Sequence, residues 1–125
     1  MQLMSLPKRK ERKEWKICIN HPFQNCNRIY PIQQKKVSLI VEHLRKNINV
    51  KRIIVFGSSV TERCHIDSDV DIYVELNYPE HLTFPAFDFV YDLWTNDTVD
   101  ERMLEEIMRK GVVVYERNVI GQSCS

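Results

Sequence analysis

The stretch Phe56–Leu76 reads FGSSVTERCHIDSDVDIYVEL, and its residue types fall in an order suited to holding a phosphate chain beside a hard cation. Gly57 ends a run of β-branched residues, and without a side chain it lets the backbone approach a ligand closely. Ser58 and Ser59 add hydroxyls and amides, and a helix starting there would offer free N–H groups to an anion. Ten residues, Ser59 to Ser68, separate Gly57-Ser58 from Asp69-Val70-Asp71. Residues two apart on a strand leave the same face, about 6.6–6.8 Å from each other. The Asp69 and Asp71 carboxylates can therefore converge on one or two Mg2+ ions, which prefer a few carboxylates plus phosphate oxygens to an all-protein cage. A phosphate grip at one strand end, with a carboxylate pair on the neighbouring strand, suits a magnesium-bound nucleoside triphosphate.

The elements that must position these groups are legible from periodicity. From Ile32 to Lys46 the apolar residues Val37, Ile40, Val41 and Leu44 recur every three or four positions, one face of a helix that Asn47 to Asn49 should stop. Lys51 to Phe56 is an apolar, β-branched run and reads as a buried strand, and Ser58 to Arg63 as a short helix or turn. Asp69 to Leu76 alternates, with Val70, Ile72, Val74 and Leu76 on one face and Asp69, Asp71, Tyr73 and Glu75 on the other. A second alternating run, Phe87 to Trp94, predicts a further strand with Asp88, Val90, Asp92 and Trp94 on a common face. Thr98-x-x-Glu101 predicts a capping box opening a last helix, Gly111 its left-handed C-terminal cap, and Val112 to Tyr115 a closing strand. The order helix, strand, strand, strand, helix, strand implies an α/β (α+β) domain, a mixed β-sheet flanked by helices.

The order strand, Gly57-Ser58, gap, then Asp69-x-Asp71 on a second strand resembles the polymerase-beta-like nucleotidyltransferase superfamily. The ten-residue gap is similar to that of its minimal members, the antitoxin halves of bacterial two-gene pairs, and the likeness runs from about Ile32 to Glu116. It implies that fold, a nucleotide site at Gly57, Ser58 and Ser59, and two Mg2+ ions with ATP as donor. It also implies a third carboxylate on a later strand, acting as metal ligand and base toward an acceptor hydroxyl. Asp92, within Tyr91-Asp92-Leu93-Trp94 and ahead of a helix, Gly111 and an apolar strand, fits the family layout, and Asp88 on the same strand face is the alternative. Catalytic and metal-holding roles then fall to Asp69, Asp71 and Asp92. The chain departs from the family where Thr61 and Glu62 replace a common Arg-Gly, which puts the turn and one phosphate contact in question. Arg63 could replace the missing arginine or be a plain surface residue, Asp67 reads as a turn residue, and His65 has no base partner in sequence.

Bulk properties bound the rest. The chain has 125 residues, 43% hydrophobic and 28% charged, a composition for one ordinary domain. Residues 1–30 read as a basic extension, 31–117 as the nucleotidyltransferase domain and 118–125 as a tail. The run KRKERKEWK at residues 8–16 is basic while the net charge is only +1, so the rest is mildly acidic, which argues against nucleic-acid binding. No apolar run approaches a membrane span and the first ten residues hold no apolar signal core, so a cytoplasmic location is expected. Four cysteines at no repeating spacing read as free thiols, and Cys18, His21 and Cys26 are a weak zinc candidate with no fourth ligand. A chain this short has no added domain to bind a drug or tRNA, so the acceptor is expected on a partner protein. The resemblance implies an all-helical HEPN-type toxin modified on a tyrosine. The alternatives are a binding antitoxin with an idle nucleotide site and a transferase acting on a small molecule such as an aminoglycoside.

Overall fold

The computed structural model describes residues 14–117, so the basic residues 8–13 and the tail from 118 lie outside the described residues. Helix α1 is Pro31–Leu44, β1 Val50–Phe56, β2 Val70–Leu76, β3 Tyr91–Thr95, α2 Glu101–Lys110 and β4 Val112–Glu116. Proline at the first position of α1 suits a helix start, since its missing N–H would have had no intrahelical partner. The strands form one sheet in the order β3-β2-β1-β4. β1 is antiparallel to β2 and β4, while β2 and β3 run parallel, giving the mixed sheet that the alternation predicts.

Each sheet face carries one helix. Val37, Ile40, Val41 and Leu44 of α1 bury against Ile53 and Val55 of β1 and against Val70, Ile72 and Val74 of β2. The opposite face packs Ile54, Tyr73 and Ile107 of α2 together, with Trp94, Met103 and Leu104 at the margin. Tyr73, on the strand face expected to be polar, is only 2% exposed because α2 covers it. Among the described residues no helix is long and apolar enough to cross a membrane.

The segment ahead of α1 is packed onto this body. Ile29 joins the core, Trp15 N donates to Asn27 O (2.6 Å), and the Trp15 ring meets Tyr30 edge-on. The buried Gln34 amide donates to Lys16 O and Ile29 O, while its carbonyl accepts from Cys18 N.

Three local expectations are corrected. Strand β3 begins only at Tyr91; Phe87 and Phe89 leave the ladder, stack at 5.0 Å and join Phe84 and Tyr91 against the α1 side of the core. Their alternation therefore reflects an aromatic cluster rather than a longer strand. Thr98 does not cap α2, because its hydroxyl is engaged by Thr95 in the turn after β3. Asp100 takes the position instead and accepts from Met103 N at 2.8 Å. Gly111 is extended (φ −75°, ψ 165°), not left-handed, since β4 starts at the next residue. Glycine is required there for space: a Cβ would overlap Ile54 Cγ2 and come within 2.6 Å of Ile107 O. Asp100→Ala should lower unfolding stability by about 1 kcal/mol, measured by urea denaturation, because it strips α2 of its only side-chain cap. An unchanged midpoint would mean that the bond adds nothing to the helix start.

Candidate functional site

The site lies where the C-terminal end of β1 meets the N-terminal ends of β2 and β3. Antiparallel pairing sets Phe56 opposite Asp71, and parallel pairing sets Asp71 opposite Asp92. Two carboxylates on adjacent strands thus share one face, and Asp69 stands just before β2. Asp71 is half-buried, whereas Asp69 and Asp92 are exposed. Asp88 is also exposed but precedes β3 in irregular chain, with no partner on β2 in the ladder. Of the two alternatives, the structure brings Asp92 to Asp71.

Charge crowding marks the cluster. The Asp71 carboxyl is pushed up from 3.8 to about 6, first by burial, then by the negative charge of Asp92 and a carboxyl–carboxyl hydrogen bond with it, and last by Asp69. Like charges that close are favourable only if a proton or a cation stands among them.

Gly57 supplies the facing wall. It is the described glycine with positive φ (+79°), and a Cβ there would overlap Asp71 Oδ2 and lie 3.2 Å from Asp71 Cγ. The absent side chain is the space that the carboxylate fills. From Gly57 the chain enters a 3-10 turn, Gly57–Val60. Thr61 closes that turn twice on Ser58 O, through its N–H at 3.0 Å and its hydroxyl at 3.1 Å. Among the described residues Asn25 is the only non-glycine with positive φ, so Glu62 occupies ordinary backbone and the missing family glycine costs the turn nothing.

Ser58 is half-exposed at the turn, but Ser59 is not where the motif suggests. It is 0% exposed, its hydroxyl accepts from Gln33 Nε2 (3.0 Å), and its carbonyl accepts from Tyr30 N (2.8 Å). The Ser59 side chain faces the core and holds the turn through Gln33. Gln33 was not legible as part of the site, since nothing in sequence separates a buried glutamine near a helix start from a surface one. Arg63 and His65 are exposed, and Asp67 lies in the turn that Ser68 N closes on His65 O.

The donor set is hard oxygen throughout, which suits Mg2+. The expected three-aspartate cage is not closed, however: among the described residues no group of three or more His, Cys, Asp or Glu side chains is arranged to hold a metal. A cation here would complete its shell with oxygens from outside the chain. The same holds for Cys18, His21 and Cys26, where Cys26 is buried and burial pushes its thiol up, away from the thiolate that a zinc site needs. The broad concavity lined by α2 residues Glu101 to Arg109 contains none of the aspartates.

A mixed four-stranded sheet with two helices is the fold of the nucleotidyl-transfer class, and the carboxylates from two parallel strands set against a glycine turn are its candidate site. The chain matches the family Polymerase beta, Nucleotidyltransferase over residues 38–120, well over half its length, and belongs to that family. A comparison with curated proteins finds no match.

Proposed function

We propose that this protein transfers a nucleoside monophosphate, from ATP as donor, to a hydroxyl on a partner protein. The observation that carries the reading is Asp71 set against Gly57, with Asp92 opposite it on β3 and the Asp69 charge acting on it, in a chain of this family. Mg2+ would suit the site, because Asp92 stands opposite Asp71 with Asp69 beside it, and burial and these neighbouring charges push the Asp71 carboxyl up. When bound, two such ions would neutralise charge on the triphosphate.

The chain's own groups then have distinct tasks. Asp69 and Asp71 present oxygen ligands, and Gly57 and Ser58 seat the β- and γ-phosphates through backbone amides and a hydroxyl. Asp92, exposed at the rim, takes the proton from the acceptor hydroxyl as that oxygen bonds to the α-phosphorus. The bond from α-phosphorus to the bridging oxygen breaks, and pyrophosphate leaves with the electron pair. Catalysis is positioning plus charge stabilisation.

The exposure of Asp69 and Asp92 supports a bulky acceptor, since the rim is open to a protein surface. The likeness of the motif spacing to minimal nucleotidyltransferases points to a HEPN-type toxin bearing a tyrosine hydroxyl. The turn closed by Thr61 supports catalysis over a purely binding role, because the departure at Thr61-Glu62 leaves the phosphate turn formed.

The test is the intact mass of the protein encoded beside this one after co-expression with wild type or Asp69→Asn. A gain of one or more nucleoside-monophosphate units with wild type, reduced at least about 100-fold in rate with the variant, is expected. A stable but unmodified complex would replace transfer by binding. Transfer to a free small alcohol without the partner would remove the protein acceptor.

A further inference from the structure

We propose that Gln33 is a positioning residue that fixes the phosphate turn and the Asp69 carboxylate relative to one another; this rests on the nucleotidyl-transfer reading above. Gln33 lies in the first turn of α1, on neither strand that carries the site, and is 0% exposed. Its Nε2 donates to Ser59 Oγ at 3.0 Å, to Ser68 O at 3.1 Å and to Asp69 O at 3.4 Å. Two amide protons thus serve three oxygens, with the longest contact sharing one of them. Ser59 belongs to the same turn as Gly57 and Ser58. Ser68 and Asp69 lead into β2. One buried side chain therefore bridges the two segments whose separation sets the distance from phosphate seat to metal carboxylate.

The amide orientation is fixed by its surroundings. Turned over, Oε1 would face the carbonyls of Ser68 and Asp69, two acceptors with no proton to give. As placed, Oε1 is buried and accepts no hydrogen bond among the described residues. A methionine or leucine would fill comparable volume without that orphan acceptor, so packing alone does not account for an amide here. The same helix start grips the turn a second time through Tyr30 N to Ser59 O at 2.8 Å, and Gln33 N caps back onto Tyr30 O at 2.8 Å. α1 thus acts as a brace behind the turn and the start of β2.

The discriminating variant is Gln33→Met, near in volume but unable to donate. Steady-state transfer is measured beside Mn2+ binding in the presence of a non-hydrolysable nucleotide, followed by electron paramagnetic resonance. With a cooperative melt retained, kcat should fall about 10–100-fold and Mn2+ affinity about 10-fold, while nucleotide KM changes by less than about threefold, since Gly57 and Ser58 remain tethered directly to the end of β1. Ser59→Ala, which removes one acceptor without touching α1, should show the same split at about 3–10-fold in kcat and serves if Gln33→Met fails to fold. A folded Gln33→Met with kcat and Mn2+ affinity within twofold of wild type overturns the inference while leaving the transferase intact. Wild type that neither binds Mn2+ with nucleotide nor transfers would sink the underlying reading instead.

Discussion

Asp71→Asn is expected to give a protein that melts higher than wild type and loses nearly all transfer. Asp71 is the most crowded carboxylate of the cluster, raised from 3.8 to about 6 by burial and by Asp92 and Asp69. Because its folded value lies above its unfolded one, its contribution to stability is fully present below about pH 4 and is lost as pH rises through about 6. At pH 7.5 the ionised side chain is therefore a liability of the free protein. The nominal shift corresponds to about 3 kcal/mol, and partial solvent screening brings this nearer to 1–2 kcal/mol. Asparagine keeps the shape, can still hydrogen-bond to Asp92 and carries no charge, so a melting-temperature gain of roughly 4–8 °C at pH 7.5 should vanish near pH 4. Transfer should fall at least about 100- to 1000-fold, because the most buried carboxylate of the cluster is gone. Added Mn2+ with nucleotide should raise the wild-type melting temperature and leave that of the variant unchanged. An Asn variant less stable than wild type at pH 7.5 would refute the account of charge crowding. One that still transfers would move the site elsewhere.

Such a trade, stability surrendered where like charges are brought together, is expected of a site built to receive a cation. It also explains which parts of this molecule could be read from the chain. Asp69 and Asp71 were legible because strand alternation needs only residue types two apart, and Gly57 because a glycine closing a buried strand has few bland explanations. Asp92 needed more. Parity left Asp88 and Asp92 on one face; the resemblance favoured Asp92, and the register with β2 sets it beside Asp71 while Asp88 falls short of the ladder. The direction of the Ser59 side chain was not legible because a motif records spacing and not rotamer; its hydroxyl turns inward to a donor from a helix 26 residues earlier. Thr98 and Asp100 are both good caps in isolation, and what decides is that Thr95 already occupies the Thr98 hydroxyl. In each miss a contact distant in sequence, or a competing local bond, overrode a sound local preference.

Gly57→Ala should couple the stability and activity of the site in a way that Asp71 alone does not. The backbone at φ +79° costs an L-residue about 1–2 kcal/mol, and the new Cβ would in addition overlap Asp71 Oδ2. Two relaxations are open: the Asp71 side chain swings away from Gly57, or the turn carrying Ser58 lifts from the sheet. Either one separates the phosphate seat from the carboxylates, so kcat should fall about 100-fold even with every polar group of the site present. The total destabilisation expected is about 2–4 kcal/mol, above that of the backbone alone. Truncating the opposing side chain tells the two contributions apart. With Asp71→Ala the overlapping oxygen and the Cγ at 3.2 Å are gone, and only the Asp71 Cβ position at 3.5 Å remains, an ordinary contact. The cost of Gly57→Ala measured in that background should drop to about 1–2 kcal/mol, leaving a coupling energy of about 1–2 kcal/mol in a double-mutant cycle. A coupling near zero would show that the turn yields before the carboxylate does, and that Gly57 serves only the left-handed backbone. A coupling of the expected size would show Gly57 and Asp71 to be one device, in which the missing side chain of the first fixes where the charge of the second can stand.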